Sequence, residues 1–188
     1  MAKDMKKLLT PVFRVSFPSV FEASSYEGGV PKFSVSAVWE PARFTDKEKV
    51  LWKAMYDLAD EVCMAKFKKK AGSLPANFKR GFRDGEEKAD LTGYGPGKVF
   101  AALSSKMRPG VIGLDRAPIT DPDEFYPGCY ARATITCYAY DNVGKGYAFG
   151  LNNLQKIRDG ERLDSKTDPE EDFGEAEVDS AWLDDPLA

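Results

Sequence analysis

The chain contains no histidine, and that one absence removes much of the common catalytic repertoire. Histidine is the usual general base near neutral pH and a frequent metal ligand, so serine–histidine, cysteine–histidine and histidine–metal chemistries are excluded. Only three cysteines occur, Cys63, Cys129 and Cys137, without a CxxC pair, so a disulfide framework and a zinc site both lack their minimum parts. No apolar stretch approaches transmembrane length, and Met1 to Leu9 runs into Thr10 and Pro11 without the apolar centre of a signal peptide. These absences predict a non-enzymatic protein of a reducing cytoplasm that needs no cofactor and touches no membrane.

Net positive charge is also missing from the chain as a whole, which sums to −3, but the average hides two unlike parts. Residues 1–163 hold 26 basic and 20 acidic residues, a net of +6, whereas residues 164–188 hold Lys166 against ten acids, a net of −9. The terminal segment has few, widely spaced apolar residues and two prolines, Pro169 and Pro186, a composition that predicts disorder. The expected organisation is therefore a net-basic domain over 1–163 followed by a disordered acidic tail over 164–188. Such a tail serves as a solubiliser, or it imitates a nucleic-acid backbone and competes for a basic groove.

What the body does contain is period-two alternation. Residues 12–17 place Phe13, Val15 and Phe17 on one side and Arg14 and Ser16 on the other, and residues 32–39 repeat the pattern through Phe33, Val35, Ala37 and Trp39. Thr45-Asp46-Lys47-Glu48 is a capping box opening one amphipathic helix over about 45–70. Further strands are expected at 78–82, 98–105, 111–114, 128–140 and 147–157, separated by glycine- and proline-rich turns. Several strands around one helix, without βαβ alternation, predict a mainly β protein: an OB-fold-like antiparallel barrel with one inserted helix. That barrel binds single-stranded nucleic acid on an open sheet face.

Motif matches to nucleotide chemistry are weak. Gly93 to Lys98 is one residue too short for a phosphate loop and has Val99 where Ser or Thr is required. Gly144-Lys145-Gly146 reads as a hairpin turn whose Lys145 could meet phosphate. The strand Tyr130 to Tyr140 is more informative: Ala131, Ala133, Ile135, Cys137 and Ala139 suit a narrow barrel interior, while Tyr130, Arg132, Thr134, Thr136, Tyr138 and Tyr140 share the other face. Tyrosine beside arginine offers a stacking surface and a phosphate contact, and equally describes cross-strand packing. A second stripe joins Lys98, Phe100 and Lys106, continued by Arg108, and a third basic cluster comprises Lys79, Arg80 and Arg83. Trp39 and Tyr94 complete the stacking candidates, with core packing favoured for Trp39 and a turn role for Tyr94.

Four segments together carry a family resemblance: Arg14-Val15-Ser16-Phe17-Pro18-Ser19-Val20-Phe21, Lys106-Met107-Arg108-Pro109-Gly110-Val111, Pro118 to Tyr130 (PITDPDEFYPGCY) and Gly150 to Glu161 (GLNNLQKIRDGE). In this order they resemble the tailed-phage single-stranded-DNA-binding proteins, with a single OB-fold and an acidic C-terminus. The resemblance implies a phage replication or recombination protein that coats exposed single-stranded DNA inside the infected bacterium. It also implies a tail that competes with DNA and recruits phage or host replication proteins. The chain ends Asp184-Asp185-Pro186-Leu187-Ala188 and not in the terminal aromatic of some relatives; the resemblance implies a partner-binding role for Trp182, Leu183, Asp184 and Asp185, with Trp182-Leu183 as the candidate replacement for that aromatic. A replication adaptor without DNA binding of its own is the alternative reading, and self-association is left open.

Overall fold

A computed structural model describes residues 5–165 together with Asp172. The expected tail contacts Trp182, Leu183, Asp184 and Asp185 lie outside the described residues.

The strands are β1 (Leu8–Leu9), β2 (Phe13–Ser24), β3 (Lys32–Trp39), β4 (Arg83–Asp84), β5 (Val99–Ser105), β6 (Gly110–Ile112), β7 (Tyr130–Asn142) and β8 (Gly144–Arg158), with helix α1 (Asp46–Phe67) between β3 and β4. Pairing closes a ring through β2, β3, β5, β8 and β7, and β7 returns to β2 through Phe13 and Arg14. The ring is antiparallel except where β5 meets β8 in parallel, and β6 adds a second parallel pairing on β8. The expected mainly β barrel with one helix is what forms.

Its interior is the inward set of each strand: Val35, Ala37 and Trp39 from β3, Ala101 and Leu103 from β5, Ala131, Ala133, Ile135 and Cys137 from β7, and Phe149 and Leu151 from β8. Small residues on β7 suit the tight interior of a five-stranded ring. The three cysteines are free and buried, and burial pushes the Cys129 thiol up to about 11 and the Cys137 thiol up to about 12.

Helix α1 starts at the expected box: the Thr45 hydroxyl accepts from the Glu48 amide at 3.3 Å, and the Glu48 carboxylate accepts from the Thr45 amide at 3.0 Å. It ends at Phe67, three residues before the expected limit, because Lys68 turns left-handed at φ +60° and returns its amide to Met64. Met55, Leu58, Ala59 and Cys63 are its buried face, which packs against β7. The helix is one of the described elements, and among these no helix is long and apolar enough to cross a membrane.

Two expectations need correction. Residues 78–82 are not a strand. Arg80 bends the segment by donating to the carbonyls of Ala71, Leu74, Pro75 and Phe78, and only Lys79 makes a ladder-like bridge, to Gly146. Of the segment's own carbonyls Arg80 takes that of Phe78, while Lys79 keeps backbone bonds to Lys145 and Tyr147. Phe17 does not share a face with Phe13 and Val15: the β2–β3 register shifts after Ser16, Phe17 adopts φ +44°, and its ring is 56% exposed. The following Pro18 has no amide to continue the ladder, a recognised site for such a bulge.

Two of the segments that carry the family resemblance meet in space. The Tyr126 hydroxyl donates to Gly160 or Asp159, each 3.0 Å away, and accepts from the Gly160 amide at 3.1 Å. Gly128 sits at φ +113°, and a Cβ there would overlap the Glu161 carbonyl. The Gly128 amide and the Cys129 carbonyl both bond Val15, tying this turn to β2. Gly128→Ala should therefore lower stability by about 3 kcal/mol in a urea melt; an unchanged midpoint would show that the turn relaxes freely.

Candidate nucleic-acid interface

The residues that alternate with the core set form the outer face of the ring. Register places Ser34 opposite Ser104 and Ser36 opposite Ala102 across β3 and β5, then Ser104 beside Gly150, and Gly150 opposite Thr136 across β8 and β7. Four strands thus lay down a floor of small and hydroxyl-bearing residues. No Cβ could be accommodated at Gly150 without displacing the Thr136 hydroxyl, which keeps that floor flat.

Two adjoining hollows, of about 390 and 660 Å³, share Lys32, Ser104 and Lys106 and make one continuous trough across this face. Lys7, Lys32 and Lys106 stand along it, Tyr138 lines one end, and Phe17 and Tyr26 line the other. Tyr138 is 38% exposed and Tyr26 84% exposed. Among the described residues no carboxylate lines either hollow. Three cations without a facing acid attract phosphate, and accessible rings at both ends offer π-faces to unpaired bases.

The sequence candidates divide by burial. Tyr138 and Lys106 line the trough; Tyr140 stands 6.4 Å from Tyr138, half-buried against Gly146, and burial together with Tyr138 raises its phenol above the ordinary value. Arg108 is exposed just beyond Lys106. Trp39, at 1% exposure, is in the core with its indole N–H donating to the Pro11 carbonyl at 3.2 Å. Phe100 and Tyr94 are not on the open face either. They form a small cluster with Val38 beneath residues 85–97, where Lys88 and Arg83 lie 4.9 Å from the Phe100 ring. The Lys98–Phe100–Lys106 stripe is consequently interrupted by a loop.

Among the basic candidates, Arg80 is held by backbone carbonyls, Arg83 pairs with Glu87 at 2.6 Å, and Arg132 donates to Gln155 at 2.9 Å. Lys79 and Lys145 are exposed together near the β7–β8 turn, with Lys145 3.7 Å from Asp141. Tyr130 and Lys98 lie away from the trough, in a separate groove with Arg14, Arg43 and Arg158. Phe17, Tyr26, Lys7 and Lys32 were missed from sequence. Pro18 signalled the bulge that exposes Phe17, and the Gly28-Gly29 turn signalled a loop at Tyr26, but neither reveals that both border one trough.

The family described as Enterobacter phage Enc34, ssDNA-binding protein, matches residues 6–183. The chain belongs to that family. It is a family of DNA-binding proteins and not of enzymes. Protein p50 of Acyrthosiphon pisum secondary endosymbiont phage 1 is 32% identical over 151 residues, covering 79% of this chain and 81% of that protein. Among solved structures, the bacteriophage Enc34 single-stranded DNA-binding protein in complex with ssDNA aligns with a TM-score of 0.69 at 20% identity, over 84% of this chain and 89% of that one. Bacteriophage T7 gp2.5, a single-stranded DNA-binding protein, aligns at 0.55 and 11% identity, over 93% of this chain and 96% of that one. At these identities the structural likeness shows a shared fold.

Burial gives the two groups of rings opposite expected behaviour. Phe100→Ala should cost about 3 kcal/mol of stability through lost packing under the 85–97 loop, while Tyr138→Ala should change it by less than about 1 kcal/mol. Thermal melts of the two variants check this, and equal losses would contradict the assignment of inner and outer rings.

Proposed function

We propose that this phage protein coats exposed single-stranded DNA during replication or recombination, without sequence preference, in the cytoplasm of the infected bacterium. The observation that carries the reading is the trough with Lys7, Lys32 and Lys106 between Tyr138 and the Phe17–Tyr26 pair, which no carboxylate lines among the described residues. Its floor of serine, alanine, glycine and threonine leaves room for a strand to lie close to the backbone. Cations hold phosphates, rings stack on bases of any identity, and affinity is strongly salt-dependent. The outer face between the β2–β3 and β7–β8 loops is where OB barrels take oligonucleotides.

The organisation into a binding domain over 1–163 and an acidic tail over 164–188 belongs to the same proposal. Leu163 supports the boundary: its amide donates to the Pro127 carbonyl at 2.9 Å and its side chain packs on Gly93, so the chain is anchored just before the acids begin. Twenty-five flexible residues would span roughly 25–30 Å, against a domain radius of gyration of about 15 Å. The tail can then compete with DNA for cationic surface, and its Trp182-Leu183-Asp184-Asp185 segment recruits replication proteins.

Retention of a labelled single strand on a gel is the test. Tyr138→Ala should weaken binding by about 1–3 kcal/mol, and exchanging Lys32 and Lys106 for Gln should lower the log–log salt slope by about 0.7 per cation. Magnesium should leave the strand intact. Retention unaffected by all three substitutions would remove the trough as the binding face, and loss of the strand with magnesium would indicate a nuclease.

Deletion of residues 164–188 should tighten single-strand binding, most strongly at low salt where charge competition is least screened. Weaker or unchanged binding in that titration would exclude competition by the tail.

A further inference from the structure

Beyond the trough the molecule has a second cationic hollow, and its construction differs. Arg14 at the start of β2, Arg43 after β3, Lys98 before β5 and Arg158 at the end of β8 line a groove of about 380 Å³ beside Tyr130. Two carboxylates line it as well, Glu48 and Glu40. Glu48 is occupied by the amides of Thr45 and Val12, and Glu40 meets Arg43 only at 3.5 Å in an exposed pair. Four cations against two carboxylates leave the groove lining a net charge of +2.

Tyr130 explains how the arginines are held. The Arg158 guanidinium carbon lies 3.8 Å from the Tyr130 ring centroid and that of Arg14 lies 5.9 Å away, so the ring carries cations instead of presenting a free face to a base. One Arg14 nitrogen donates to the Glu161 carbonyl at 2.8 Å, while its buried Nε has no acceptor among the described residues. A guanidinium that is positioned but not neutralised is suited to a phosphate oxygen.

The segment between β4 and β5 links the two hollows. At one end Lys88 lies 5.7 Å from the ring of Phe17, which lines the trough; at the other, Gly93 and Lys98 line the groove. Lys88 and Lys98 thus mark a path from one hollow towards the other, beside the exposed acids Glu86, Glu87 and Asp90 of the same loop, of which Glu87 is paired with Arg83.

We propose that the Arg14–Arg43–Lys98–Arg158 groove is a second phosphate-binding subsite that takes the backbone of the same DNA strand after it leaves the trough. The inference rests on the trough as the primary seat. It assigns the groove phosphate contacts only, with Tyr130 as a platform for arginine, so that this part of the strand is held without base stacking. Strands long enough to pass the loop gain these contacts, and short ones do not.

The full-length protein can be titrated, by fluorescence anisotropy, with labelled oligothymidylates of ~6 and ~16 nucleotides, lengths towards the lower and upper ends of the site sizes of single OB folds. For R43Q/R158Q, affinity for the longer strand should fall about fivefold or more and its salt slope by ~1.4, from two lost phosphate contacts. Affinity for the shorter strand should stay within about twofold. A melting curve checks folding, and Lys98→Gln repeats the comparison without touching Tyr130 if the double variant is destabilised. Unchanged affinity for both strands would overturn the proposal. So would an equal loss on both, the result expected if the groove holds the chain's own acidic tail and the substitutions release it to compete at the trough. Tyr138→Ala keeps the two readings apart: loss on both lengths there, with no effect of R43Q/R158Q, retains the trough and removes the second groove, whereas normal binding by Tyr138→Ala removes the trough.

Discussion

When β3 turns the Trp39 indole into the barrel, its N–H reaches the Pro11 carbonyl and its ring meets Phe13, Trp52 and Phe82 at centroid distances of 5.6, 5.1 and 6.2 Å. The approach to β2, strand β3, helix α1 and the irregular segment around Arg80 all share that ring. Burial of so large a side chain with its one donor satisfied fixes which face of β3 is inside. Ser34, Ser36 and Val38 must then point outward, since a slip by one residue would exchange the two sets. The pairing of β3 with β5 passes the same parity to Ala102 and Ser104, and β5 passes it through β8 to Thr136 and Tyr138. The trough is a consequence of where Trp39 goes.

Its chemistry depends on a second feature, the segregation of carboxylates. The body holds 20 acidic residues, yet none lines the trough among the described residues. Many are engaged elsewhere: Glu48 in the helix cap, Asp57 with Lys53, Glu87 with Arg83, and Asp159 with Lys156 at 2.7 Å, a contact that holds the Asp159 carboxyl below its ordinary range. A modest net charge of +6 on residues 1–163 thereby becomes a locally cationic surface. Screening limits the reach of such a field to about 8–10 Å at physiological salt, so the local arrangement matters more than the sum.

The alternation in residues 32–39, 98–105 and 128–140 was sufficient to read three barrel strands and their inward residues, because a half-buried strand writes its burial into the chain with period two. The capping box placed the helix start correctly, since its partners are three residues apart. Phe78 and Phe82 misled because they are buried around a single bridge at Lys79 and not along a strand: Arg80 ties the segment to the carbonyls of Ala71, Leu74, Pro75 and Phe78, and which carbonyls it will meet is not a property of the local sequence. Phe100 misled for a different reason. It does point outward from β5 as its parity requires, but residues 85–97 fold back over it, converting an outer position into a buried one.

By itself the sequence determined the mainly β class with one helix, the inward parity of the long strands, the family and the opposition of a basic body to an acidic terminal segment. These depend on spacing and composition, which neighbouring residues express directly. Tertiary structure alone decided which aromatics remain accessible, that Lys7 of the N-terminal segment, Lys32 of β3 and Lys106 just after β5 come together, and that Tyr130 carries arginines. Those outcomes depend on ring closure and on which loop covers which face, and both are set by contacts between residues far apart in the chain.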